Sequence, residues 1–132
     1  MKVFADTHLL IDYLVNGDKQ ATLAINHIVE SGHQPVISTH TVAILNYFID
    51  KKYKNPAKKK AIAAEITRLF EISTPAVADV PNMLQQHDWE DAFQYFSAKQ
   101  AKCKLIVTDN IHDYSFSEIA LMNISTFNSM FL

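Results

Sequence analysis

Apolar positions along the chain change period repeatedly, from short continuous runs to a helical spacing and back. Lys2 to Ala5 is a brief apolar run that stops at Asp6-Thr7, and Leu9, Leu10, Tyr13 and Leu14 follow at helical intervals. This predicts a strand and then a helix broken at Asn16-Gly17. Asp18 is placed to cap a second helix with Ala21, Ala24, Ile25, Ile28 and Val29 on one face, ended by Ser31-Gly32. Val36-Ile37-Ser38 reads as a second strand, with Pro35 tolerated at its start. A third helix runs from about Thr41 to Lys52, with Val42, Leu45, Phe48 and Ile49 turned inward.

Asn55-Pro56 is a cap followed by a first-turn proline, and it opens a fourth amphipathic helix through Ile62, Ile66, Leu69 and Phe70. A short strand is expected at Phe70 to Ser73, then a weak helical stretch between Pro75 and Gln86. Asp88-Trp89-Glu90-Asp91 has the form of a capping box, starting a helix with Trp89, Ala92, Phe93 and Phe96. Leu105-Ile106-Val107 is a buried-strand pattern closed by Thr108-Asp109-Asn110. The tail offers a last strand near Ile124 and a terminal helix from Phe127. Strands alternating with helices predict an α/β fold with three layers, α/β/α, around a parallel sheet of four or five strands.

Size adds a limit. A chain of 132 residues, 48 % hydrophobic, suits one domain spanning 1–132. No apolar run approaches the ~20 residues that cross a bilayer. The early charge at Asp6 is unlike a signal peptide, so a cytoplasmic protein is expected. The single Cys103 has no partner for a disulfide or a zinc motif. With two glycines in all, phosphate-cradling glycine loops are excluded.

Charge changes the picture locally rather than globally. The formal net charge of −2 gives no support for nucleic-acid binding, yet Lys51, Lys52, Lys54, Lys58, Lys59 and Lys60 hold half of the 12 basic residues. That stretch is either a phosphate-binding edge or two solvated helix ends.

The acids carry the candidate chemistry. Asp6, the Asp88-to-Asp91 run and the Asp109-to-Asp113 run fall where predicted strands or helices end or begin. Ligands of open parallel sheets bind beyond the carboxyl ends of the strands. Carboxylates brought together there repel one another unless a proton or a metal neutralises them, and Mg²⁺ or Mn²⁺ takes such oxygen ligands. An ion so held polarises a phosphodiester and stabilises the leaving oxygen. Each acid also has a plain alternative, Asp88 and Asp6 as helix caps and Asp91 as the return half of the capping box.

Three segments together resemble a known family. Lys2-Val3-Phe4-Ala5-Asp6-Thr7-His8-Leu9-Leu10-Ile11-Asp12-Tyr13-Leu14 looks like the opening signature of PIN domains. Asp88 to Tyr95 is similar to the acidic helix start of the VapC-like branch, and Ile106-Val107-Thr108-Asp109-Asn110-Ile111-His112-Asp113-Tyr114 resembles its next signature. Ile37 to Thr41, with Tyr47-Phe48, also fits. The resemblance implies a PIN fold and a divalent-metal ribonuclease of the toxin type, commonly dimeric and neutralised by an antitoxin protein. Carried over by position, Asp6, Asp91 and Asp113 hold the metal, Asn110 assists, and Thr7 and Thr108 orient the site. His8, His112, Lys51, Lys52 and Lys54 are candidate RNA contacts.

One departure stands out. Ile44 occupies the position where many PIN nucleases have a glutamate, and isoleucine neither binds metal nor accepts a proton. A binding module for RNA or protein, built on the same fold with an impaired site, therefore stands beside the nuclease reading. Phosphatase and receiver-domain readings fit less well, because Asp6 is followed by His8 rather than a second aspartate and has no adjacent acid.

Overall fold

The computed structural model describes residues 1–131. Five strands form one parallel sheet: β1 (Lys2–Ala5), β2 (Gln34–Ser38), β3 (Glu71–Ser73), β4 (Leu105–Val107) and β5 (Ala120–Met122), in the order β3-β2-β1-β4-β5. Pairing registers Phe4 against Val36 on one side of β1 and against Ile106 on the other. Successive strand residues face opposite ways, so β1 sends Val3 and Ala5 into one core and Phe4 into the other. Helices cover both cores. The predicted three layers with a five-stranded sheet are therefore present.

Helices α1 (Thr7–Ile11), α2 (Lys19–Glu30), α3 (Thr39–Lys52), α4 (Pro56–Leu69) and α7 (Ile124–Ser129) contribute to the first core. The second core holds residues of α5 (Val80–Leu84) and α6 (Trp89–Gln100). Helix α1 widens into a π-helical turn over Asp12–Asn16 that ends at Gly17, whose φ of 64° is the left-handed conformation glycine adopts without strain. The predicted caps at Asp18, Asn55 and Asp88 all form, each side chain accepting a first-turn backbone N–H.

Several expectations are corrected. The last strand is Ala120–Met122, and Ile124 begins the final helix, because Asn123 caps that helix through the Thr126 N–H. Helix α3 begins at Thr39, since Ser38 accepts from the Thr41 N–H and so starts the helix earlier. Val42 and Val29 are exposed, lying outside the core-facing stripe of their helices, and Phe48 is only half-buried. Trp89 is 62 % exposed and lies outside both cores. Its indole N–H reaches the Leu84 carbonyl at 3.3 Å, which holds the ring on the surface.

Sheet topology chooses the site. From β1 the chain moves outward through β2 to β3 and then crosses back to β4 and β5, so the order reverses between β1 and β4. The crevice at the carboxyl ends of these two strands is where such sheets receive ligands. Asp6 and Thr108 terminate those strands.

Candidate active site

Asp6 caps α1 from the end of β1 and is 2 % exposed. Its Oδ1 accepts the Thr7 N–H at 2.7 Å and the Tyr114 hydroxyl at 3.4 Å, while Oδ2 accepts the Thr108 hydroxyl at 2.7 Å. Donors of this kind hold the carboxylate in one orientation. Tyr114 is fully buried, and burial, reinforced by the charges of Asp6 and Asp91, raises its hydroxyl pKa. It stays a donor.

Thr108 does double duty, because its Oγ1 also accepts the Asn110 N–H at 3.0 Å and so shapes the loop after β4. That loop carries Asn110, half-exposed, and then exposed His112 and Asp113 in a short 3₁₀ turn, Ile111–Tyr114. Asp109 is used elsewhere, accepting the Ile124 N–H at 3.0 Å.

Asp91 enters from the first turn of α6. Its backbone N–H donates to Asp88 Oδ1 at 3.1 Å, but its own carboxylate makes no hydrogen bond back to Asp88. The capping box is half-formed, and the Asp91 carboxylate is left for other work. It is 8 % exposed, and its pKa is pushed up to about 7, first by burial and then by the negative charges of Asp88, Asp113, Asp6 and Glu90. The three sequence-predicted acids therefore gather within electrostatic reach of one another.

A web of uncharged groups lies under them. Thr7 donates its N–H and its hydroxyl to Gln94 Oε1, each at 2.8 Å, and shares a 2.8 Å hydrogen bond with the Thr41 hydroxyl. Thr41 in turn meets Ser38 Oγ at 3.1 Å. Ser38, Thr41 and Gln94 had no signal in the spacing of charges; a polar residue on the apolar face of α6, in the position of Gln94, was the one legible hint. His40, in the first turn of α3, lies beside Phe93 and places Nε2 3.6 Å from Glu90 Oε1.

The family model for the PIN domain matches residues 2–112. The chain belongs to the PIN-domain family. No curated protein sequence matches it significantly. Its fold is similar to that in the structure of VapBC2 from Rickettsia felis bound to a promoter DNA fragment, at 15 % identity and a TM-score of 0.70, over 93 % of this chain and 98 % of that one. It is also similar to VapBC-1 of nontypeable Haemophilus influenzae, at 15 % identity and a TM-score of 0.69, over 95 % and 99 %.

In this PIN domain the position of Ile44 is half-buried and packed against the first core, so α3 adds no oxygen there. Among the described residues, no three His, Cys, Asp or Glu side chains stand close enough to share one ion directly. The donor set nevertheless fits Mg²⁺, which binds through one or two carboxylates and keeps several waters. Burial first, and then four neighbouring carboxylates, raise the proton affinity of Asp91, and a cation would relieve the charge of those neighbours.

The sequence-predicted RNA contacts divide. His8 is exposed beside Thr7, and His112 is exposed beside Asp113, both near the acids. Lys51, Lys52 and Lys54 are not brought there. Thr41 and Lys52 lie towards opposite ends of α3, roughly 16 Å apart at the helical rise. Lys52 is committed to the Val15 carbonyl at 2.9 Å, and Lys51 lies over the Tyr47 ring. Cys103 is buried as expected, and burial pushes its thiol pKa up to about 12, which keeps it inert.

Proposed function

We propose that this PIN domain is a divalent-metal-dependent endoribonuclease of the VapC toxin type, hydrolysing RNA phosphodiester bonds in the cytoplasm. The observation that carries the reading is the buried Asp6–Asp91 pair at the sheet's reversal point, with Asp113 close enough to raise the Asp91 pKa. Asp6 and Asp91 would hold Mg²⁺ or Mn²⁺, with Asp113 acting directly or through water. When bound, the ion polarises the phosphodiester and supplies an activated water.

The chain's own groups prepare that chemistry. Thr108 and Tyr114 hold the Asp6 carboxylate in place, and Thr7 ties the end of β1 to α6 through Gln94. Asn110, at the rim, orients water or phosphate, and exposed His8 and His112 contact the RNA backbone. An antitoxin partner belongs to the same reading, supported by the likeness in fold to the two VapBC structures, and a homodimer is part of the proposal on the family resemblance alone.

Asp91→Asn retains the shape of the side chain and removes its charge. The expected result is loss of Mg²⁺-dependent cleavage of single-stranded RNA by about 10²-fold or more, read by gel under single-turnover conditions. Equal cleavage by the two proteins overturns the assignment.

Ile44 supports a second reading, a PIN domain that binds RNA or protein without cutting. Ile44→Glu separates the two. An impaired nuclease gains metal-dependent cleavage from the restored carboxylate, whereas a binding module that has lost more than this one acid gains none.

A further inference from the structure

Gln94 follows Asp91 by three residues on α6, and residues so spaced share a helix face. It is 2 % exposed, as deeply buried as Asp6. A backbone N–H can only donate, so the amide atom that meets the Thr7 N–H at 2.8 Å must be oxygen. The Thr7 hydroxyl approaches the same atom. The orientation of the amide is thereby decided.

Nε2 is left with two N–H groups and, among the described residues, no acceptor within the protein. The side-chain atoms sealed from solvent without a partner are His40 Nε2 and Asn128 Oδ1, so Gln94 Nε2 still touches solvent. The Thr7 N–H that fixes Oε1 follows Asp6 directly, and Asp91 shares the Gln94 face of α6, so the amide stands among the acids. An oxygen of a bound ligand can replace the water that takes its hydrogen bonds. RNA phosphate has the oxygens to do so.

We propose that Gln94 contacts substrate: its Nε2 donates to a non-bridging oxygen of an RNA phosphate held against Asp6 and Asp91, while Oε1 stays locked on Thr7. This rests on the ribonuclease reading and extends it to a residue outside the acids. A neutral donor suits the place, since it attracts phosphate oxygen without competing for the cation. It also supplies a polar group to a site to which Ile44 adds none.

Gln94→Glu tests the geometry. Glutamate retains the oxygen that accepts from Thr7 and turns the free amide nitrogen into a second carboxylate oxygen. The variant is expected to bind Mn²⁺ about tenfold more tightly by calorimetry, through the added ligand. It is expected to bind a single-stranded RNA oligomer about tenfold more weakly, measured by anisotropy with Ca²⁺ in place of Mg²⁺. Affinities equal to wild type in both measurements overturn the proposal, because a residue that only braced Thr7 would give that result.

Should the variant fail to fold by circular dichroism, the wild-type side-chain amide signals of Gln94 decide. They are expected to move on saturation with RNA while those of Asn128 stay put, and unmoved Gln94 signals overturn the proposal. A wild-type protein that binds RNA without cleaving it loses the ribonuclease reading, and the same comparison still judges the Gln94 contact. No RNA binding at all overturns both.

Discussion

Asp6→Ala is expected to lower RNA cleavage by about 10³-fold or more, the largest single loss in the molecule, because on the proposed ribonuclease reading it removes a cation ligand and the anchor of the site together. The Asp6 carboxylate is the common acceptor for Thr7, Thr108 and Tyr114. Alanine leaves the Thr108 and Tyr114 hydroxyls facing a void, and an unsatisfied buried donor costs about 1–3 kcal/mol. Part of that loss is offset, since one of the charges that raise the Asp91 pKa disappears. Folding stability should therefore fall by only about 2 kcal/mol, read by urea unfolding at pH 7. Cleavage should fall far more. A variant that remained folded and cut RNA at the wild-type rate would remove Asp6 from the catalytic set.

The second large effect is a pH dependence that runs opposite to the usual carboxylate case. Asp91 has a folded pKa of about 7 against an ordinary value of 3.8, so between these values the folded protein holds a proton that the unfolded chain has released. Its contribution to stability is complete below about pH 4 and is lost as pH rises through about 7. The full shift corresponds to about 4 kcal/mol, which solvent screening reduces to about 2–3 kcal/mol lost by the metal-free protein across that window, and Asp91→Asn should flatten the curve. Urea unfolding at pH 5 and pH 8 checks both.

The same sign governs the cation. Binding needs the deprotonated carboxylate, so Mg²⁺ affinity and cleavage should rise from pH 6 to pH 8 as the metal-free fold weakens. Added Mg²⁺ should raise the melting temperature at pH 8 in wild type and leave Asp91→Asn unchanged. A wild-type stability curve flat from pH 5 to 8 would mean that Asp91 carries no such strain.

Where local chemistry alone decides an element, the chain could be read directly. The caps at Asp18, Asn55 and Asp88 needed only the residue and its place before an apolar helical run. Leu105 to Val107 needed only three buried apolar residues closed by polar ones. The tail was misplaced because Ala120–Met122 is a short edge strand, and nothing in three residues distinguishes it from the Ile124 segment that Asn123 turns into a helix. The exposure of Trp89 could not be read from helical spacing, and only the position of α5 shows its indole held outside.

By itself the sequence determined the alternation of strand and helix, the caps, and the strand-end and helix-start positions of Asp6, Asp91 and Asp113, since each depends on neighbours a few residues away. The family signature lay in those same positions. Tertiary structure alone decided that Gln94 meets Thr7 across 87 residues and that Tyr114 reaches Asp6 across 108. It also sent the lysine-rich stretch to the far end of α3 from the acids. Such pairings follow from strand order and the direction in which each helix packs, and these are settled only when both faces of the sheet are buried at once.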